Sequence, residues 1–324
     1  MTVYISAALL SFGISVGAGF AVIPLLKKLK AGQNILSYVK EHEYKSGTPA
    51  MGGIIFVISA TAVTLALSDK TDFRLAAVIC VTGASFAAVG FLDDLLKIKR
   101  RRNEGLKHYQ KISFQLAVAL IVSVYACTRG YTAVKLPFSG KVADAGWWML
   151  PFYTFVFIST TNCVNLTDGL DGLAAGVSYV YFLFLAAIIL IYGNGFYRTD
   201  TFVLSCFSLV GALVGFLIFN TYKAKVFMGD TGSLSIGGFL SAISIFSGNA
   251  LFIPVIGITF VFTGISVIAQ VIYYKRTGKR IFLMAPAHHH FQMKGASESK
   301  IAFVYKIITA AMGALCVLAA LGGN

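Results

Sequence analysis

The sequence contains few charged residues. Asp, Glu, Lys and Arg make up 12% of its 324 residues, whereas soluble domains contain about a quarter. Hydrophobic residues make up 57%, and the mean hydropathy is +0.78. This composition excludes an ordinary soluble domain and predicts a polytopic membrane protein.

Acidic residues are especially scarce, with 13 against 27 basic residues and a net charge of +14. Such an excess is also found in nucleic-acid-binding proteins. Here, however, the basic residues lie between long apolar runs, where Lys and Arg set membrane topology and contact lipid headgroups. We therefore expect membrane lipid as a partner and no nucleic acid.

Cysteine is sparse and widely spaced. No two of the five cysteines form a CxxC pair, which leaves neither zinc-ligand spacing nor a disulfide framework; they are Cys80, Cys127, Cys163, Cys206 and Cys316. A cleavable signal is not expected either. The first apolar run has no basic stretch ahead of it and continues into Pro24 and Lys27, as a membrane span would.

The long apolar runs predict the fold. Runs of about 17 to 25 apolar residues are long enough to cross a bilayer as a helix. The sequence has ten of them, at 3–26, 50–68, 73–92, 112–129, 147–164, 173–192, 201–219, 232–248, 251–273 and 302–321. We therefore expect an all-α integral membrane protein in which residues 1–324 form one polytopic domain.

The basic residues predict its orientation. The odd-numbered connections, with the last extended to Lys306, contain 21 of the 27 basic residues. By the positive-inside rule these connections are cytoplasmic, and an even number of spans places both termini outside. On the outer side, the alternating pattern of Tyr131–Gly146 could form a small hairpin.

Two adjacent carboxylates stand at one cytoplasmic membrane edge. Asp93 and Asp94 follow the apolar run 73–92 and precede the basic run Lys97–Arg102. Neighbouring carboxylates repel each other unless a metal ion or a lysine offsets the charge. Lys97 lies one helical turn from Asp93 and could serve. The alternative is a helix end whose acids only balance the basic run.

Further polar tracts fall in the same inward connections. They are Lys45–Gly53, Asn162–Gly172, Asn220 with Phe227–Ser233, and His288–His290. Asp168 and Asp171 would share one face if their segment is helical, and the glycines nearby would let a phosphate or sugar approach the backbone. Each Gly-Asp tract alone could be a helix cap or a turn. Five aspartates at the ends of separate spans favour a functional site, because carboxylates at a membrane edge are costly.

The three consecutive histidines have several interpretations. They lie inside the chain, which argues against a purification tag, and neighbouring side chains cannot easily converge on one zinc ion. A structural role remains open. Hydrogen bonding to a sugar or phosphate fits better.

Together these tracts carry a family resemblance. Residues 45–53, the Asp93-Asp94 pair with Lys97, and the tracts 165–172, 227–233 and 288–291 occur in the order typical of the family. The chain resembles the bacterial phospho-N-acetylmuramoyl-pentapeptide transferases, within the polyprenyl-phosphate N-acetylhexosamine-1-phosphate transferase superfamily. The acidic tracts indicate the superfamily, and the TPxMGG and HHHF tracts indicate the muramoyl branch.

The sequence departs from the family pattern at a few positions. Ala50, Ala287 and Gln292 replace residues that are common in the family, and the tract 295–298 lacks an aromatic residue often found there. These departures affect the last cytoplasmic loop and leave every acidic motif intact.

The resemblance implies a reaction. Phospho-MurNAc-pentapeptide would pass from UDP-MurNAc-pentapeptide to undecaprenyl phosphate with Mg²⁺, giving lipid I and UMP, at the cytoplasmic face of the bacterial inner membrane. The resemblance also implies a homodimer. Whether transfer is direct or passes through a covalent aspartyl intermediate stays open.

The resemblance also implies roles for individual residues. Asp93, Asp94 and Asp230 would be catalytic, with Asp230 the principal Mg²⁺ ligand. The substrate-binding candidates are Lys45, Lys97, Lys111, Asn165, Asp168, Asp171, Asn220, Phe227, His288, His289 and His290. Lysines suit phosphate contacts, and Phe227 could stack on uracil, although a core aromatic is the alternative.

Two other functions compete with this one. A sister transferase would move GlcNAc-1-phosphate to a polyprenyl phosphate, and the HHHF and TPxMGG tracts argue against it. A ten-span carrier would have the same hydropathy. A carrier needs polar sites near mid-membrane, however, and the acids here cluster at one face.

Overall fold

The computed structural model describes residues 1–29, 47–100, 104–139, 141–192 and 199–322. Lys45 lies outside these residues. Most of these residues are helical, which confirms the all-α class. The long helices are α1 (Thr2–Lys28), α2 (Gly53–Leu67), α3 (Phe73–Arg100), α4 (His108–Thr128), α5 (Met149–Thr167), α6 (Leu173–Tyr192), α7 (Asp200–Asn220), α8 (Gly229–Phe246), α10 (Ile258–Thr277) and α12 (Glu298–Gly322).

Nine of the ten apolar runs each coincide with one of these long helices. Among the described residues, seven helices are long and apolar enough to cross a membrane: α1, α3, α4, α6, α7, α10 and α12. Helix α2 has 15 residues, and α5 and α8 carry more polar residues. The structure therefore supports a multi-pass membrane protein, while the number of crossings stays a prediction.

The ninth apolar run is not one helix. It contains a 3₁₀ turn (Ala250–Phe252), a short helix α9 (Ile253–Ile256) and then α10. The break comes at Gly257, and Pro254 stands in the first turn of α9. Proline is favoured at a helix start and glycine lowers helix propensity. The long helix of this run therefore begins at Ile258, seven residues after the predicted start of the span.

Two short strands form the predicted hairpin. Strand β1 (Ala133–Lys135) pairs antiparallel with β2 (Val142–Asp144), so that Ala133 faces Asp144 and Lys135 faces Val142. Burial lowers the pKa of the Lys135 ammonium to about 8. The ammonium also lies over the Tyr192 ring at the end of α6, which joins the hairpin to the helical bundle.

Helix α8 is the centre of the bundle. Every residue from Thr231 to Phe246 is buried, and the helix packs against α2, α3 and α5. Small residues permit this packing: a Cβ on Gly238 would come 2.6 Å from the Phe86 ring of α3. Serine hydroxyls bond backbone carbonyls, as Ser235 does with Gly83 of α3 at 2.9 Å. Close packing of small residues is typical of helices in membranes.

Candidate active site

The paired aspartates lie on a helix. Helix α3 continues beyond Leu92, where the apolar run ends, and reaches Arg100. Asp93 and Asp94 are therefore in its last turns and not in a connection, as the sequence boundary had placed them. Both are buried, with exposures of 3% and 2%. Buried carboxylates require hydrogen bonds or countercharges.

Asp230 comes to the same place from α8. It stands in the first turn of that helix, after a backbone turn in which Gly229 has φ +73°. Asp230 is far from α3 in sequence, but α8 packs against α3 and so brings Asp230 close to Asp93 and Asp94 in space. The ligand oxygens of Asp93, Asp94 and Asp230 lie within 4.8 Å of one another.

Two lysines surround this carboxylate cluster. The Lys97 ammonium lies 2.6 Å from Asp93 Oδ2, 2.8 Å from Asp230 Oδ2 and 3.6 Å from Asp94 Oδ1. The Lys111 ammonium, from α4, lies 2.8 Å from the same Asp230 oxygen. Both lysine side chains are largely buried, so their charges are weakly screened. Two of the three predicted lysines, Lys97 and Lys111, therefore lie against the predicted acids.

Asn165 completes the contacts of Asp230. Its Nδ2 donates to Asp230 Oδ1 at 2.7 Å and to Ser233 Oγ at 2.8 Å, and its Oδ1 accepts from Lys111 at 3.3 Å. Asn165 lies near the end of α5. Four helices, α3, α4, α5 and α8, thus supply one polar cluster, which fixes both oxygens of Asp230.

The two neighbouring aspartates have different partners. Asp93 accepts from the backbone N–H of Leu106 at 2.8 Å and pairs with Lys97. Asp94 accepts three bonds from Asp230 and Thr231 at the start of α8. Sequence reasoning did not identify Thr231 or Ser233 as part of the site. A hydroxyl on each side of Gly232, in the first turn of an apolar helix, was the available signal.

The cluster has the donor set that a divalent cation needs. Hard cations such as Mg²⁺ bind carboxylate oxygens, and three carboxylates converge here. Among the residues that the structure describes, no other three acids, histidines or cysteines bring their ligand atoms within 4.8 Å of one another. Asp93 and Asp230 fit such an ion best, because lysine ammonium groups hold their Oδ2 atoms and can move aside for a cation. Backbone N–H groups and a hydroxyl of α8 instead hold both Asp94 oxygens.

Asp171 and Asn220 join loops. Asp171 Oδ2 accepts from Ala224 N at 3.0 Å. Asn220 Oδ1 accepts from Gly172 N at 3.2 Å, and its Nδ2 donates to Val226 O at 2.9 Å. Both side chains are buried. These bonds tie the α5–α6 turn to the segment before α8, and the substrate-binding role of both residues stays a prediction.

Asp168 lies just after α5. Residues 168–172 form a turn, so the condition under which Asp168 and Asp171 would share a helical face is not met. Burial raises the pKa of the Asp168 carboxyl well above its usual range, and the charges of Asp230 and Asp94 raise it further. This carboxyl therefore feels the negative field of the cluster.

The three histidines lie on a short helix, α11 (Ala287–Met293), in different surroundings. His288 is 0% exposed, and burial lowers its pKa to about 3. His289 Nδ1 lies 3.1 Å from Gln292 Oε1. His290 Nδ1 accepts from the backbone N–H of Leu283 at 3.1 Å. His289 and His290 therefore bond different groups, whereas neither ring nitrogen of buried His288 has a hydrogen-bond partner among the described residues.

The histidine tract also contacts the aspartate tract. A Cβ on Gly169 would overlap His288 Nε2 and come 3.0 Å from His289 Nε2. Gly169 directly follows Asp168. The structure therefore brings His288 and His289 beside the α5–α6 turn, as a shared substrate site would need.

Phe227 is held by backbone hydrogen bonds to the tract 49–52. Its N–H donates to Pro49 O at 2.8 Å, and its carbonyl accepts from Gly52 N at 2.9 Å. Gly53 N donates to Met228 O at 2.9 Å in the same way. The side chain is half-buried, which leaves both stacking on a base and packing in the core open. The tract around Pro49–Gly53 thus holds the segment that leads into Asp230.

Comparisons with known proteins identify the family of the chain. The model of glycosyl transferase family 4 matches residues 75–248, and the phospho-N-acetylmuramoyl-pentapeptide-transferase signature 1 matches residues 45–57.

Curated proteins named phospho-N-acetylmuramoyl-pentapeptide-transferase are similar over nearly the whole chain. The Clostridium novyi protein is 42% identical over 312 residues, which cover 95% of this chain and 94% of that protein. The Clostridioides difficile protein is 41% identical over 318 residues and 96% of each chain. The Clostridium perfringens (strain 13) protein is 44% identical over 308 residues, 94% of this chain and 95% of that protein. The chain therefore belongs to the phospho-N-acetylmuramoyl-pentapeptide transferase family.

Proposed function

We propose that this protein transfers phospho-MurNAc-pentapeptide from UDP-MurNAc-pentapeptide to undecaprenyl phosphate, forming lipid I and UMP. The observation that carries the proposal is the cluster of Asp93, Asp230, Lys97 and Lys111 at one end of an apolar helical bundle. A lipid phosphate must meet a water-soluble nucleotide sugar, so the reaction belongs at a membrane edge. Family membership supports the same reaction.

The proposed setting is the bacterial inner membrane. All ten long helices would cross it, with both termini outside and the carboxylate cluster at the cytoplasmic face, where the nucleotide donor is made. The distribution of basic residues supports this orientation. A homodimer is proposed from the family resemblance alone.

The chain's own groups would position and neutralise charge. Phosphoryl transfer depends mainly on positioning and electrostatic stabilisation. Asp230 and Asp93 would hold Mg²⁺, which when bound neutralises the diphosphate of the donor. Lys97 and Lys111 would contact the phosphates of the two substrates, because their ammonium groups already point into the cluster.

The lipid phosphate needs little help to become a nucleophile. Its second pKa is about 6, so a large fraction is already dianionic at neutral pH. Asp93 would orient the phosphate or take its remaining proton. The phosphate oxygen ends bonded to the β-phosphorus of the donor, and the bond from that phosphorus to the UMP oxygen breaks.

The remaining predicted residues would bind the donor. Asn165 orients Asp230 and lies next to Lys111, so its role in substrate binding would be indirect. Phe227 would stack on uracil. The predicted sugar and phosphate contacts are Lys45, Asp168, Asp171, Asn220, His288, His289 and His290.

One assay tests the proposal. Purified protein with UDP-MurNAc-pentapeptide, undecaprenyl phosphate and Mg²⁺ should release UMP and form a lipid-linked product. UDP-GlcNAc is the matched control donor and should give neither. Activity with UDP-GlcNAc alone would assign the chain to the sister branch, and movement of a solute across vesicles without UMP release would favour a carrier.

A further inference from the structure

Asp94 is bonded to the first turn of α8. Its Oδ2 accepts from Thr231 N at 2.9 Å and from Thr231 Oγ1 at 2.7 Å, while its Oδ1 accepts from Asp230 N at 3.2 Å. The carboxylate is 2% exposed. All three donors therefore belong to Asp230, which carries the candidate metal-binding carboxylate, and to Thr231.

These bonds fill the place of a missing helix cap. The first N–H groups of a helix have no partner within the helix, and the residue before it usually supplies a side-chain oxygen. In α8 that residue is Met228, and no side-chain cap bond is present. Asp94 supplies the oxygens from α3 instead. Its negative charge is also favourable at a helix N-terminus.

The glycine before Asp230 fits the same arrangement. A Cβ on Gly229 would come 2.6 Å from Asp94 Oδ2, and Gly229 has φ +73°. Any other residue would therefore meet both the carboxylate and an unfavourable backbone conformation. The turn into α8 is thus built to receive Asp94.

We propose that Asp94 is a positioning residue, which fixes the first turn of α8 so that the Asp230 carboxylate faces Lys97 and Lys111. The inference rests on the proposed function in taking Asp230 as the metal ligand. It separates the two neighbouring aspartates: Asp93 faces Lys97 and the substrates, whereas Asp94 acts through Asp230. Loss of Asp94 would then loosen α8 even where no metal and no substrate is present.

Hydrogen exchange in the metal-free protein tests this directly. Asp94→Asn keeps the side-chain shape but turns one acceptor into an NH₂ group, which then faces a donor. Peptides covering residues 229–233 should exchange at least about tenfold faster, the change expected when a hydrogen bond to a charged group is lost. Asp144→Asn, the matched control, changes a carboxylate that accepts from Gly146 in the hairpin, and it should exchange like the wild type over residues 229–233. Unchanged exchange in Asp94→Asn would overturn the proposal.

Thr231 provides a second, milder variant. Thr231→Val removes only the hydroxyl that Asp94 accepts, and Thr231→Ser restores it. Thr231→Val should speed exchange of the same peptides and weaken the binding of Mn²⁺, the probe used in place of Mg²⁺, several-fold. Thr231→Ser should bind Mn²⁺ like the wild type. The double variant with Asp94→Asn should bind Mn²⁺ no more weakly than Asp94→Asn alone. Wild-type exchange in folded Thr231→Val, or a double variant whose effects multiply, would overturn the proposal. If Asp94→Asn does not fold, the exchange of Thr231→Val decides.

Mn²⁺ binding and hydrogen exchange also distinguish a failure of this inference from a failure of the proposed function. If the wild type binds no Mn²⁺, the metal assignment of Asp230 fails. The exchange experiment still decides whether Asp94 holds the first turn of α8, since it requires neither metal nor turnover.

Discussion

Gly90 of α3 lies against the backbone carbonyl of Asp230. A Cβ on Gly90 would overlap that carbonyl oxygen and come 2.5 Å from the backbone nitrogen of Thr231. The helix that carries Asp93 and the helix that carries Asp230 therefore approach at a distance that only glycine permits. The geometry of the carboxylate cluster depends on this contact.

Gly90→Ala should push α8 away from α3 and lower both stability and turnover. Overpacking a closed core costs about 1–3 kcal/mol, and displacing a catalytic group by about 1 Å can cost on the order of 10²-fold in rate. UMP release and thermal unfolding measure the two effects. Gly17→Ala in α1 is the control, because nothing lies within 4 Å of its Cβ. Wild-type turnover and melting in Gly90→Ala would contradict the expected clash.

Asp230→Asn should abolish turnover without unfolding the protein. Asn keeps the shape of the side chain but removes the charge that would hold Mg²⁺ and pair with Lys97 and Lys111. Loss of one charge contact in a transition state costs about 3–4 kcal/mol, or a factor of about 10²–10³ in rate, and loss of a metal ligand should cost at least that. Turnover against Mg²⁺ concentration, with a thermal melt for folding, is the measurement. Near-normal turnover by folded Asp230→Asn would remove it from the metal site.

His289→Ala should leave the Mg²⁺ dependence unchanged while weakening the donor. His289 contacts Gln292 and the α5–α6 turn, and it is absent from the acidic cluster. We therefore expect a higher KM for UDP-MurNAc-pentapeptide and the same half-saturating Mg²⁺ concentration as wild type. A large shift in that Mg²⁺ concentration would bring the imidazole into the metal site.

The apolar runs predicted the helices well because burial in lipid requires about 20 apolar residues in a row. They predicted the helix ends poorly. Helix α3 continues past Leu92 because Leu95, Leu96 and Lys97 are good helix formers, and hydropathy does not report a helix that extends beyond the membrane. Hydropathy also did not predict the break at Gly257, because α9 and α10 on either side of it are both apolar.

Motifs predicted which side chains form the site but not how they pair. Lys111 and Asn165 both contact Asp230, and these contacts come from the packing of three helices. The three histidines were indistinguishable in sequence. Only the fold buries His288 and leaves His289 and His290 half-buried, because α11 places the His288 ring nearest to Gly169.

The orientation in the membrane can be tested by cysteine labelling. In a background without the five native cysteines, a cysteine placed next to Asp144 in the hairpin should react with an impermeant reagent in intact cells. One placed next to Gly278, after α10, should react only after lysis. Both positions are exposed, so a difference reports the side of the membrane. Reversed labelling would place the carboxylate cluster on the side that lacks the nucleotide donor.

Buried His288 should make the protein less stable in mild acid. Its pKa is about 3 in the folded protein, because burial and the neighbouring His289 disfavour the charged form, against about 6.5 in an unfolded chain. Above pH 6.5 both states are neutral and the residue has no effect. As the pH falls below 6.5 the unfolded chain binds a proton that the folded protein does not, so about 2 kcal/mol is lost by pH 5. The midpoint of thermal unfolding should therefore fall between pH 7.5 and 5 in wild type and fall less in His288→Asn. His108→Asn, which removes an exposed imidazole, should follow wild type, and an equal fall in His288→Asn would show that other groups cause the acid sensitivity.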